Sequence, residues 1–577
     1  MKLKRIAACL LGAIMLISLP GCSGSPSGKN ASDADASVSG SASADDIEKT
    51  EKNEETVLEE PENFGMVTEK NPIVQTAYGP VMGKTEDGVA NFRAIPYGGN
   101  VDGEQRFLRA ENPQPWTEPL DCTYLRARAV QSVGRSGHGN LFQEYVGDYF
   151  AGGRIGELTL NDQYDDENCL NLNVVTPGLD SKKRPVVVYV HGGGYTQGSN
   201  AITAGAYNLS REEDVVIVGV NHRLSFGYLY LGAFDEKYAD SGMVSMLDVV
   251  KALEWVRDNI ENFGGDPGNV TIMGESGGGG KMQALLLMEE ARGLFHKAVI
   301  MSAVGSDGWR TPEEASDDAK AVLDILGVGT DELYRLADFT TEEMWTAMQE
   351  SGAEFSPVID GKNLKGNLYE SDENARKLLA ETAAGVPVMV TTARDEMKWL
   401  SGNGNRDLFD ITWETLPDML KESYGGNTQK IIETYKSVYP DYSASDIYFR
   451  ISTDTVFGNK AARLADLLSE STGAPVYRYI YCHECQIEGG IFGAYHTADL
   501  PLFFRMVMYE EDEMVSRQLA ASIAEFMRIG DPSTEKNPWP EYTSEKRQIV
   551  FVDDQYETAE NPEKMILELW ESLGVVI

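Results

Sequence analysis

Positive charge is scarce in this chain. Fifty Lys and Arg residues stand against 91 Asp and Glu, a formal net charge of −41. A surface of that sign repels phosphate backbones and anionic headgroups, which argues against nucleic acid as a partner. It favours neutral or cationic small molecules over anionic ones. Long apolar runs are also missing. The N-terminal run from Ile6 to Leu19 falls short of the roughly 20 residues needed to span a bilayer. No repeat with a period of about 20–50 residues is visible, which excludes a solenoid. Histidine and cysteine number only six each, so candidates for a base, a ligand or a disulfide are few. Cys482-His483-Glu484-Cys485 has no second Cys or His pair to complete four zinc ligands. It reads as a strand end with incidental thiols, and neither a metal nor an organic cofactor is expected.

What is present begins with an export signal. Lys2, Lys4 and Arg5 precede the short apolar run, which ends in Leu19-Pro20-Gly21-Cys22. That ending resembles a bacterial lipobox, in which cleavage precedes the cysteine and the cysteine is lipidated. Residues 1–21 are then the signal peptide and Cys22 the lipidation site, with the membrane reached only through that anchor. Ordinary cleavage and free secretion is the alternative. Residues 22–63 are rich in Ser, Gly, Ala, Asp and Glu. Such a stretch buries too little apolar surface to offset its ordering entropy and reads as a flexible tether. The remaining body, residues 71–577, is long enough for one large α/β unit. Its four cysteines, Cys122, Cys169, Cys482 and Cys485, lie in an exported chain that could oxidise them, and spacing leaves their pairing open.

Two segments carry chemistry. Val270 to Met273 reads as a short buried strand running into Gly274-Glu275-Ser276-Gly277-Gly278. This is the G-x-S-x-G nucleophile elbow, in which small flanking residues let a sharp strand-to-helix turn expose the serine hydroxyl. Helix-like sequence follows from Lys281. The run Gly277 to Gly280 is costly in a helix, about 1 kcal/mol per glycine relative to alanine, and suggests close packing. Upstream, Pro185 to Val190 reads as another strand running into His191-Gly192-Gly193-Gly194-Tyr195. This is an HGGG-type loop, whose bare backbone N–H groups suit a developing oxyanion. A serine nucleophile needs a base, and the base an orienting acid. Downstream of Ser276 the only histidines are His296, His483 and His496. His296 is too close in sequence to fold back onto the serine.

The chain resembles the type-B carboxylesterases, the family of cholinesterases and bacterial para-nitrobenzyl esterases. Asn262 to Pro267 together with Gly274-Glu275-Ser276 is similar to the family's serine signature, and Glu167 to Val174 to its second signature. Asn221-His222-Arg223-Leu224, Phe355 to Gly361 and Gly530-Asp531-Pro532 follow in the family's order. The resemblance implies an α/β-hydrolase fold: a large mixed, mostly parallel central sheet flanked by helices, with helical insertions. It implies a small-molecule ester as substrate and a triad. Gly493 to Pro501 is similar to the family's histidine loop, which makes His496 the base. Glu396 matches the family's acid in Thr391 to Met397, although Ala393 and Met397 replace the usual Asn and Gly, and Asp395 is the rival. Gly193, Gly194 and Gly277 would hold the oxyanion. Arg106 would pair with Glu167. The family's usual partner cysteine for Cys169 is absent.

The expected activity is hydrolysis of carboxylic esters by two-step acyl transfer through Ser276, outside the cell. A non-catalytic adhesion protein on the same scaffold, or a hydrolase of amides, thioesters or lactones, is the alternative. Between Gln131 and Asn168 there is no Trp, which weakens a cholinesterase reading, while Phe142, Tyr145, Tyr149, Phe150 and Tyr164 could line a pocket or merely pack.

Overall fold

The computed structural model describes residues 67–131 and 163–574. The export signal, Cys22, the tether, and Phe142, Tyr145, Tyr149 and Phe150 lie outside the described residues. Tyr164, the one member of that aromatic group within them, is 57% exposed. No described helix is long and apolar enough to cross a membrane.

The body is organised by one sheet of eleven strands: β1 (Lys84–Glu86), β2 (Val89–Pro96), β3 (Asn171–Thr176), β4 (Arg184–Val190), β5 (Val216–Val220), β6 (Gly265–Glu275), β7 (Lys297–Met301), β8 (Val388–Ala393), β9 (Val476–Tyr481), β10 (Gln548–Val552) and β11 (Glu557–Glu560). In space they run β11-β10-β9-β8-β7-β6-β4-β5-β3-β2-β1. The seven strands from β10 to β5 are parallel to their neighbours. The flanking pairs are antiparallel. A separate three-stranded sheet joins Ile73–Gln75, Pro80–Met82 and Leu120–Asp121.

Parallel strands covered on both faces read as unbroken apolar runs rather than alternating ones. β4 and β5 do so, and their residues divide by parity between two cores. Val186, Val188 and Val190 of β4 face one core with Val216, Val218 and Val220 of β5. Val187, Tyr189 and Ile217 face the other. The helices Val244–Asn259 and Gly277–Leu287 cover the first face, and Asp512–Ile529 covers the second. The helical insertions form a satellite core in which Leu420, Ile431, Tyr435 and Ile447 pack with Trp570 of the C-terminal helix.

Buried ion pairs tie the signature segments to this frame. Arg106 donates to both oxygens of Glu167 at 2.6 and 2.9 Å, the pairing that the resemblance implies. Arg223 makes a bidentate pair with Asp248 at 2.8 and 2.6 Å, and its third nitrogen donates to the carbonyl of Leu108. Both partners are buried. Arg223→Ala would leave the Asp248 carboxylate uncompensated. The expected cost is about 3–5 kcal/mol of stability, read as a fall in the urea unfolding midpoint; an unchanged midpoint would contradict it. Cys122, Cys169, Cys482 and Cys485 are all free thiols.

Candidate active site

The order of the strands reverses beside β4. The chain leaves β4 for β5 on one side and returns to β6 on the other, so the crevice between the carboxyl ends of β4 and β6 is a topological switch point, where open α/β sheets bind ligands. Val190 and Gly274 are register partners there. The glycine loop and the elbow therefore emerge side by side, although 85 or so residues of chain separate them.

Ser276 sits between β6 and the helix Gly277–Leu287 with φ 57° and ψ −120°. A residue with a side chain adopts this region only under strain, which the surrounding bonds must hold. Here the Ser276 N–H donates to the carbonyl of Met301, and its own carbonyl accepts from Gly280 and Val304. From Val270 to Leu287 it is the only residue that keeps partial exposure. The helix begins at Gly277 rather than at Lys281, so all four glycines are helical. A Cβ on Gly277 would overlap the carbonyl of Gly194, and one on Gly278 that of Val190. On Gly279 it would lie 2.7 Å from the Cβ of Ala303, and on Gly280 it would meet the Tyr195 hydroxyl. The glycine run is thus what lets the helix lie against the oxyanion-type loop. Gly193 and Gly194 take left-handed φ values of 83° and 64°, which suit glycine because it has no Cβ. The Gly193-Gly194 turn thus lies against the backbone of Gly277.

β8 and β9 deliver the other groups to the same end of the sheet. Glu396 opens the short helix Glu396–Leu400 just after β8 and is fully buried. One of its oxygens accepts the Ala393 N–H at 2.8 Å. The other lies 2.5 Å from Nδ1 of His496. The two departures from the family turn are therefore accommodated. Ala393 contributes only its backbone, and Met397 packs into a cluster with Phe449 and Phe457. The Phe457 ring in turn lies 5.0 Å from the His496 ring. Asp395, the rival acid, faces elsewhere: it accepts from Arg394 and from the Ala494 N–H, bracing the histidine loop.

A carboxylate that the motif pattern left as a variable position also belongs here. Oε1 of Glu275 is 3.2 Å from Nε2 of His496, at ion-pair distance but without hydrogen-bond alignment. Burial disfavours the imidazolium of His496, but Glu275 and Glu396 outweigh it and push the ring up to about 9. Burial pushes Glu275 up to about 8, opposed by His496 and reinforced by Glu396 and Asp499. Burial likewise raises Asp499, which accepts from the Tyr479 hydroxyl, to about 7. No hydrogen bond joins the Ser276 hydroxyl to His496 among the described residues. Catalytic hydrogen bonds in ligand-free hydrolases are often long and tighten with substrate.

His296 lies at the start of β7, where its ring accepts the Val270 N–H, away from this cluster. His483 is held between Asp512 and Asp553, and neither Cys482 nor Cys485 takes part.

Comparison with known proteins gives the family. The Carboxylesterase family profile matches residues 70–570. The chain is 33% identical to the para-nitrobenzyl esterase of Bacillus subtilis (strain 168) over 514 residues, 85% of this chain and 96% of that protein. Among solved structures, a carboxylesterase of Geobacillus stearothermophilus superposes with a TM-score of 0.71 at 29% identity, covering 86% of this chain and 99% of that one. An esterase from anaerobic Clostridium hathewayi, described as able to hydrolyse aliphatic aromatic polyesters, superposes with a TM-score of 0.71 at 28% identity, covering 87% and 98%. The chain belongs to the carboxylesterase family, has its α/β-hydrolase fold, and is a carboxylic ester hydrolase.

Proposed function

We propose that this hydrolase works outside the cell through an acyl-enzyme on Ser276, with His496 as base and acid and Glu396 as orienting acid. The observation that carries the reading is the 2.5 Å contact of Glu396 with Nδ1 of His496, beside a strained, partly exposed serine. Ser276 Oγ attacks the ester carbonyl while Nε2 of His496 takes its proton. The N–H groups of Gly193, Gly194 and Gly277 hold the oxyanion. The carbon–oxygen bond to the alcohol then breaks, and the alcohol leaves with the proton from His496. Water repeats the sequence on the acyl-enzyme, releasing the acid and restoring Ser276. Glu396 keeps the Nδ1 proton in place and stabilises the imidazolium without becoming protonated. Mixing enzyme with excess p-nitrophenyl acetate should release a burst of about one p-nitrophenol per chain when deacylation is the slower step. Hydroxylamine should then release the acyl group from the protein. Turnover with no acyl group ever recoverable on the chain would sink this reading.

Glu275 contributes to the pH dependence together with Glu396. Only neutral His496 can accept the serine proton, so kcat/KM rises with pH through its titration. Removing the Glu275 charge removes support for the imidazolium. Glu275→Gln is therefore expected to move the acidic limb of kcat/KM to lower pH. An unmoved limb, or one moved to higher pH, would contradict this.

The export signal and the Leu19-Pro20-Gly21-Cys22 ending support a mature chain that begins at lipidated Cys22, on a tether that holds the enzyme off the membrane. Mass spectrometry of the mature N-terminus tests this, and an unmodified start at another residue rules it out. Esters are preferred over amides and lactones on the names of the relatives, most of them esterases, while one is named a fatty acyl-CoA hydrolase, whose substrate is a thioester. A panel varying acyl length, alcohol size and linkage settles that choice.

A further inference from the structure

Lys281 is a buried amine that no carboxylate pairs among the described residues. It lies on the elbow helix, one turn and a half beyond Ser276, and is fully buried. Its ammonium group donates to the carbonyl of His191 at 2.9 Å and lies 5.9 Å from the centre of the Tyr195 ring. The titratable side chains facing it are uncharged. Burial and the Lys281 charge hold His191 down at about 3, and both, with His191 itself, hold the stacked ring of His222 low. Tyr195 donates no charge either, because burial raises its hydroxyl. An unpaired buried ammonium is costly, since the interior replaces little of its hydration. Such violations of the ordinary rules concentrate at functional sites.

The carbonyl that Lys281 holds belongs to the first residue of His191-Gly192-Gly193-Gly194, the loop whose N–H groups are assigned to the oxyanion. We propose that Lys281 is a positioning residue for ester hydrolysis: through His191 it fixes the glycine loop, and its charge is the counter-ion of the tetrahedral oxyanion. The resting protein lacks that anion, and the reaction creates it a few residues away. In a low-dielectric interior a charge so placed acts across several ångströms. The selectivity is for the transition state, because the ester carbonyl of the bound substrate carries no net charge. Burial also lowers the Lys281 ammonium to about 7, so the oxyanion should raise it again as it forms. Sequence alone shows only one lysine in a helix-like segment; its burial and the contact with a residue 90 positions upstream are products of the fold.

This inference rests on the Ser276 reading, and one inhibitor pair separates the two. An aryl trifluoromethyl ketone adds the serine oxygen to its carbonyl and becomes an anionic tetrahedral adduct, the serine proton passing to His496. The matching methyl ketone binds without addition. Wild-type enzyme should bind the trifluoromethyl ketone far more tightly; equal affinities would overturn the Ser276 reading and this inference with it. Lys281→Met should weaken the trifluoromethyl ketone by about tenfold or more and leave the methyl ketone within about twofold, while Lys281→Arg should retain most of the wild-type preference. Equal losses on both ketones, or no loss on either, would overturn the role of the charge and leave Ser276 standing. A measurement on wild-type chain covers the case in which Lys281→Met does not fold. With 13Cε-labelled lysine, the titration midpoint of Lys281 should rise on forming the trifluoromethyl ketone adduct, and an unchanged midpoint would overturn the proposal.

Discussion

Ser276→Ala is expected to lower kcat on p-nitrophenyl acetate by on the order of 10⁶, because the nucleophile and base act as a unit and neither works alone. The protein should remain folded. The substitution deletes one partly exposed hydroxyl, and the bonds that hold the elbow at this position run through the backbone of residue 276: its N–H to Met301 and its carbonyl to Gly280 and Val304. Circular dichroism and the urea midpoint should therefore match those of the parent. Residual hydrolysis of about 10³–10⁴ over water is compatible with the account, since the oxyanion donors and substrate binding remain. Turnover within tenfold of the parent would mean that another group attacks the ester.

The second large effect is that of Glu396→Gln, for which a fall of about 10⁴ in kcat is expected with little change in KM. The amide keeps the volume of the carboxylate, and its oxygen can still accept the Ala393 N–H that Glu396 now accepts at 2.8 Å. What it loses is the negative charge 2.5 Å from Nδ1 of His496. Without it the ring is free to take the tautomer with its proton on Nε2, which cannot accept from serine. The imidazolium of the transition state also loses its closest stabilising charge. The same change leaves Glu275 as the carboxylate at ion-pair distance from the ring among the described residues. Asp395→Asn offers the contrast. Its carboxylate braces the loop through Arg394 and the Ala494 N–H, so a loss of similar size there would transfer the orienting role to Asp395. Because the triad acts as a unit, Ser276→Ala with Glu396→Gln should be no slower than Ser276→Ala alone.

Much of this site is legible in the sequence, and the parts that are not share one physical cause. Ser276, Gly193 and Gly194 are readable because their chemistry demands local backbone geometry, and local geometry leaves a contiguous signature of strand, glycine and turn. The strands themselves are readable as apolar runs, although β6 proves longer at both ends than Val270–Met273. The choice between Asp395 and Glu396 is harder. Adjacent residues leave a turn in different directions, and only packing of the Met397 and Phe457 cluster against His496 decides which carboxylate meets the ring. The role of Glu275 is hidden for a related reason. The residue is a variable position of the G-x-S-x-G elbow and part of the longer serine signature, but its contact with His496, brought from more than 200 residues away, shows only in the fold. The glycine run gives only half its meaning in sequence: the cost is plain, but the carbonyls of Gly194 and Val190 that forbid a side chain are contributed by a distant loop. Groups defined by local backbone are readable, whereas groups defined by a long-range neighbour need the fold.

The account stands most directly on which atom is acylated. The chain should be treated with a fluorophosphonate, digested, and the adduct located by peptide mass spectrometry. The predicted result is a single stoichiometric adduct on Ser276, formed with the same time course as loss of esterase activity and absent after Ser276→Ala. An adduct on any other residue, or complete inactivation with Ser276 unmodified, would contradict the account.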